Sequence, residues 1–191
     1  MPRDQGEHDH DPTSSALTER LEALELRVRE LEDERALREL LTSYSFGADV
    51  FRGPQWVGLF TEDGSYDLGS QNVDGGYSGR FTGPDDLLAL ITGPGMPPAG
   101  RAQHFHGPMR FDISGDTATA ETYSITYQLD EQDRCEVYCL GFNRWTFRRE
   151  DGRWRIAERQ RRELGAGAEA EVVGLCCPRK PVFPAQARRG A

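Results

Sequence analysis

Basic residues are in short supply: 23 Lys and Arg stand against 32 Asp and Glu, leaving a net charge of −9. A nucleic-acid surface needs clustered cations that release counterions from phosphates, and no nucleic-acid motif is present, so that class is excluded. Long apolar runs are missing as well. None approaches the roughly 20 residues that cross a bilayer, and residues 1–12 are polar and acidic rather than signal-like. These gaps predict a soluble, cytoplasmic protein with no nucleic acid and no membrane as partner. Cysteine is scarce: Cys135, Cys139, Cys176 and Cys177 lack the CxxC turn spacing of structural zinc sites. Without an export signal, disulfides are not expected. Cys135 and Cys139, on one face of a predicted strand, are expected to be small buried hydrophobes. Histidine is scarce too, which makes its placement informative. His8 and His10 fall in the polar opening stretch; His104 and His106 sit two residues apart in Arg101-Ala102-Gln103-His104-Phe105-His106-Gly107-Pro108.

What is present is a chain of 191 residues, 37% hydrophobic, sufficient for one domain with a sizeable core plus tails. Residues 1–14 have no apolar period and are expected to be a disordered tail. From Ser15 a helix is predicted, with Leu17, Leu21, Leu24, Val28 and Leu31 recurring at alternating steps of four and three between charged flanks. This register spans about two heptads, short of the three or four that define a coiled coil on sequence alone, and Arg35 and Arg38 then interrupt it. The 15–34 segment is either an amphipathic arm against its own domain or an oligomer contact. The narrow stripe favours the latter, a homodimer or higher homo-oligomer. A second stripe, Leu37, Leu40, Leu41, Tyr44 and Ala48, opens the domain proper, assigned to residues 35–164.

Gly47, Gly53 and Pro54 end that helix and leave Asp49 at its terminus. Residues 56–60 read as a short second helix, 65–68 as a short strand, 69–83 as a Gly- and Asp-rich loop with a small hairpin near 77–81, and Pro84 as the first turn of a third helix. Residues 93–100, with three prolines, are a loop placed to cover a pocket mouth. Four strands then follow at 104–113, 117–129, 135–148 and 154–162, joined by short turns as a meander. Helices first and a meandering sheet afterwards imply an α+β fold. Residues 165–191 are expected to be a loose tail, although the apolar patch at 172–177 would suit an edge strand or a neighbouring subunit.

The order of these elements resembles the SnoaL-like division of the nuclear transport factor 2-like superfamily, with scytalone dehydratase and bile acid 7α-dehydratase most similar within it. The resemblance covers about residues 31–164. It rests on Leu31-Glu32-Asp33-Glu34-Arg35-Ala36-Leu37-Arg38-Glu39-Leu40-Leu41, on Tyr44 with Asp49 five residues on, on 56–60 followed by an acidic turn, on Arg101-Ala102-Gln103-His104-Phe105, and on Trp154-Arg155-Ile156-Ala157-Glu158-Arg159. It implies a cone: a strongly curved antiparallel sheet wrapped around about three helices, with an apolar pocket open at one end. In the dehydratases a carboxylate matching Asp49 pairs with a histidine matching His104. Tyrosines matched by Tyr44, and less securely by Tyr66, donate to the substrate carbonyl. The second histidine of scytalone dehydratase falls near Tyr127 or Gln128, and His106 matches no family catalytic group.

The chemistry of these residue types agrees with that implication. A histidine hydrogen-bonded to a carboxylate is oriented and made more basic, so it can take a proton beside a carbonyl and return one to a leaving hydroxyl. Tyr44, with Tyr66 or Tyr123, would stabilise negative charge on the enolate oxygen. Asp49, His104 and Tyr44 are therefore the candidate catalytic set; Tyr66, His106, Tyr123, Tyr127 and Arg161 are candidate substrate contacts, Arg161 because some relatives bind an acidic group near that place. Arg159 and Arg162 read as surface charge. The expected activity is dehydration, cyclisation or isomerisation of a small hydrophobic substrate (a polyketide, steroid-like or terpenoid molecule) without metal or organic cofactor. Two other readings stay open. One is a non-catalytic ligand-binding or structural subunit, such as the small subunit of ring-hydroxylating dioxygenases. The other is a two-histidine, one-carboxylate metal site at His104, His106 and Asp49.

Overall fold

The structure, a computed structural model, describes residues 12–50, 53–69, 78–94 and 96–164, with side chains described from residue 15 onward. The expectations for residues 1–11 and 165–191, including His8, His10, Cys176 and Cys177, lie outside the described residues. Helix α1 runs unbroken over Pro12–Asp49, so residues 12–14 belong to the helix rather than to a tail and no boundary interrupts it at residue 34. Short α2 (Gly53–Val57) follows, then β1 (Phe60–Asp67), β2 (Arg80–Thr82), α3 (Gly83–Thr92), β3 (Ala102–Ser114), β4 (Thr117–Leu129), β5 (Cys135–Glu150) and β6 (Arg153–Glu163). Among the described residues no helix is long and apolar enough to cross a membrane.

The strands form one six-stranded sheet in the order β2-β1-β6-β5-β4-β3. β3 to β6 make the expected antiparallel meander, while β1 lies parallel to β6 and antiparallel to β2. The fold is thus mixed α+β, a long helix on a curved sheet that does not close, and the sheet is not wholly antiparallel. The stretch expected to be helical through Phe60 is divided instead. Phe60 pairs with Ile156 of β6 and begins β1, and the register slips before Ser65. Gly64 permits that slip: a Cβ there would lie 2.8 Å from the Thr61 carbonyl oxygen and 3.1 Å from that of Ile156.

The core forms where the second stripe of α1 meets the sheet. Leu37, Leu41, Tyr44 and Ala48, at helical spacing, are buried against Trp56, Phe60, Trp145, Phe147 and Ile156. Each fully buried leucine contributes roughly 1.5–3 kcal/mol of transfer free energy. The point where α1 enters the body is marked by Asp33, which accepts from Arg149 at 2.7 Å and from the indole N–H of Trp154 at 3.0 Å, with the Arg149 guanidinium stacked 4.3 Å from the Trp154 ring. Before that point the helix stands free of the described residues: Leu17, Leu21, Leu24, Val28 and Leu31 are all exposed. Packing of the arm on its own described domain is therefore excluded.

Candidate active site

Asp49 is the last residue of α1 and His104 lies near the start of β3, so the end of the helix meets the inner face of an edge strand. Asp49 Oδ1 accepts two hydrogen bonds from the same residue, from the His104 backbone N–H at 2.9 Å and from His104 Nδ1 at 2.8 Å. Both side chains are mostly buried, 17% and 18% exposed. With Nδ1–H committed to the carboxylate, Nε2 is left as the acceptor, the tautomer a base requires. His104 lines a cavity of about 440 Å³, within the range of small-molecule sites, whereas Asp49 does not line it and acts through the imidazole. From the proline-rich loop Pro94, Met96 and Pro97 contribute to the wall, and the backbone N–H of Gly100 donates to the Asp49 carbonyl at 3.3 Å.

The rest of the lining is mostly apolar, with Thr126, Gln128 and the Arg161–Glu163 ion pair among its polar groups and a more deeply buried guanidinium, that of Arg159. Arg159 is 2% exposed. It donates twice to Asn143 Oδ1, at 2.9 and 2.7 Å, and once to the Tyr44 hydroxyl. Its planar head lies 4.5 Å from the Tyr66 ring centroid, 4.7 Å from Trp145 and 5.0 Å from Tyr44, so three aromatic faces offset part of the desolvation of the charge. Among the described residues no carboxylate pairs with it. Burial raises the Tyr44 pKa above the usual phenol value, although Arg159 works in the opposite direction, so the hydroxyl stays protonated. Because that oxygen accepts from Arg159, its own proton remains free to be donated.

His106 shares the inner face with His104 but has a different task. Its Nδ1 is 2.9 Å from Ser45 Oγ and its Nε2 3.2 Å from the Arg159 guanidinium, and its ring packs edge-on against Tyr44 and Trp145. Burial, then the charge of Arg159 and the neighbouring His104 and Arg161, hold its pKa well below the ordinary value, so it is neutral. A neutral ring accepting from Arg159 at Nε2 donates its Nδ1 proton to Ser45. His106 therefore lies beneath the cavity rather than in its lining, which corrects the expected substrate contact. The same geometry argues against a metal at Asp49, His104 and His106, since a guanidinium already occupies the free lone pair of His106. Among the described residues no three His, Cys, Asp or Glu side chains are arranged to hold a metal ion.

Tyr44, Tyr66 and Arg161 line the cavity. Arg161 is held by Glu163 at 2.9 Å and donates to Cys139 Sγ at 2.9 Å. Tyr123 and Tyr127 do not line it. In β4 the inward positions are Ala118, Ala120, Thr122, Ser124 and Thr126, and the two tyrosines alternate onto the outer face, exposed. Small residues face inward there because aromatic side chains from α1 and β5 already fill the concave side. Cys135 is exposed and Cys139 only half-buried at the cavity wall, so neither is the core residue expected. Asn143, Ser45, Thr126, Gln128, Tyr138 and above all Arg159 were not anticipated. On strict alternation from Trp154 and Ile156, Arg162 would point inward and Arg159 outward. An irregularity of register at Ala157, between the pairs Phe147–Ile156 and Thr146–Glu158, exchanges the faces.

A family model described as the SnoaL-like domain matches residues 29–160. No curated protein gives a significant match. Among solved structures, an NTF2-like protein with a cystatin-like fold from Novosphingobium aromaticivorans is 28% identical, covering 88% of this chain and 99% of its own, with a TM-score of 0.67. A protein of the same organism, proposed to be a scytalone dehydratase, is 19% identical over 71% of this chain and 86% of its own, TM-score 0.57. A hexachlorocyclohexane dehydrochlorinase is 15% identical over 72% and 88%, TM-score 0.60. At these identities the last two are likenesses of fold alone.

Proposed function

The chain belongs to the SnoaL-like domain family, and from that membership we propose that it is an enzyme of general acid–base chemistry, in first place a dehydratase, with cyclisation or isomerisation as the neighbouring reactions. The substrate class is a polyketide, steroid-like or terpenoid molecule bearing a carbonyl. The observation that carries the reading is the 2.8 Å contact of His104 Nδ1 with Asp49 at the wall of an apolar cavity, within the about 2.6–3.2 Å that a working acid–base pair needs. The names of two fold relatives, a dehydratase and a dehydrochlorinase, both denote eliminations, which agrees with the reading.

In the proposed reaction His104 Nε2 removes a proton from the carbon next to the carbonyl. The electron pair moves onto the carbonyl oxygen, and the enolate receives a hydrogen bond from the Tyr44 hydroxyl, which Arg159 polarises. The enolate then collapses, the hydroxyl on the β-carbon departs with the proton His104 took, and water and an unsaturated carbonyl result. Asp49 keeps the imidazole in the required tautomer and stabilises its charged form. Arg159, charged and without a carboxylate partner among the described residues, supplies the field in which that negative charge develops.

The experiment is a panel of β-hydroxy carbonyl compounds followed by the absorbance of the conjugated product. His104→Ala is expected to lower turnover by about 10²–10⁴-fold. Asp49→Asn is expected to lower it severely as well, because an amide can donate to Nδ1 and leave the proton on Nε2. Unchanged turnover in either variant, with folding intact by circular dichroism, would sink the proposal.

A further inference from the structure

We propose that residues 17–31 of α1 form a parallel, in-register, two-stranded coiled coil with the same segment of a second copy of this chain. The segment is helical and lies beyond the Asp33 clamp, and its apolar stripe is left uncovered by the described residues: Leu17, Leu21, Leu24, Val28 and Leu31 are each 49–68% exposed. Steps of four and three place Leu17, Leu24 and Leu31 at the d positions of a heptad and Leu21 and Val28 at a. Arg35 and Arg38 then occupy the next a and d positions, so the register stops where the helix enters its own body.

The flanking charges select the occupant and its direction. Positions g hold Arg20 and Arg27; positions e hold Glu25 and Glu32. In a parallel pair each g faces the e of the following heptad on the other strand, which sets Arg20 against Glu25 and Arg27 against Glu32 on both sides of the seam. In an antiparallel pair g faces g and e faces e, so arginine meets arginine and glutamate meets glutamate. Only the parallel arrangement with an identical strand is free of this repulsion. Leucine at every d and a β-branched residue at one of the two a positions favour two strands. The coil lies at the far end of α1 from the pocket, about 48 Å along the helix from Leu17 to Asp49, so each protomer keeps its own site.

The test uses the full chain in sedimentation equilibrium. Wild type is expected at twice the chain mass. Leu21→Glu with Leu24→Glu should raise the dissociation constant by about 100-fold or more, and Glu25→Arg with Glu32→Arg by about tenfold. Adding Arg20→Glu and Arg27→Glu to the second variant should restore wild-type association, since the pairs are then reversed rather than lost. Leu17→Cys under mild oxidation should give a disulfide that peptide mapping places between position 17 of one chain and position 17 of the other. In an antiparallel pair those positions lie about 20 Å apart. A monomeric wild type, a trimer, a dissociation constant indifferent to these substitutions, or no link between the two positions 17 would each overturn the proposal.

Discussion

The two halves of α1 carry the same kind of apolar stripe on one continuous helix and have opposite fates. In residues 37–48 the stripe is buried to 3% exposure or less at Leu37, Leu41, Tyr44 and Ala48; in residues 17–31 every stripe position is at least 49% exposed. Helical periodicity reports which face of a segment is apolar and is silent on what covers it. The difference arises at Asp33, where the helix acquires its first fixed partners in Arg149 and Trp154. From there on the stripe organises the core, and its final turn delivers Asp49 to His104.

The strongest way to break this comparison is to remove a leucine from each half. Leu41→Ala is expected to cost about 2–5 kcal/mol, whereas Leu24→Ala should cost under about 0.5 kcal/mol in dilute protein, both by urea denaturation; equal losses would erase the distinction. A smaller effect concerns the body half alone, where His106, hydrogen-bonded to Ser45 of α1, is held neutral by its burial and then by the charge of Arg159. Its folded pKa lies below the ordinary 6.5, so the unfolded chain binds a proton that the folded chain refuses. The stability this contributes is complete above about pH 6.5 and declines as the pH falls below it. His106→Asn should accordingly lose less stability than wild type between about pH 7 and pH 5. The smallest effect sits at the junction: Arg35 and Glu39 form an ion pair at 3.1 Å with both side chains over 60% exposed, and Arg35→Ala should change stability by no more than about 0.5 kcal/mol.

Much of the fold was legible. The four meander strands stand within two residues of the places their β-branched and aromatic alternation indicated, and the Gly–Pro punctuation marked the start of α3 and the end of α1. What escaped was non-local. The parallel pairing of β1 with β6 joins segments about ninety residues apart and depends on Gly64 allowing a slip of register. Within the site, Asp49 and His104 were named from a family resemblance, since no spacing rule links residues separated by 55 positions. Arg159 was misplaced for a local reason: an irregularity at Ala157 reverses which residues of β6 face inward. Tyr123 and Tyr127 failed by the opposite rule, strict alternation holding where aromatic character suggested a pocket contact.

By itself, the sequence determined an α+β chain, a helix with two successive apolar stripes, a meandering sheet, and a short menu of groups able to move protons. These follow from side-chain periodicity and turn chemistry, which act over a few residues. Only the tertiary structure decided that the first stripe is left uncovered by the described residues while the second is core, that Asp49 touches His104, and that a guanidinium without a carboxylate partner among the described residues lies beneath Tyr44. Those outcomes depend on which surfaces the curved sheet brings together, and one register slip in one strand suffices to exchange a surface arginine for the charge at the centre of the site.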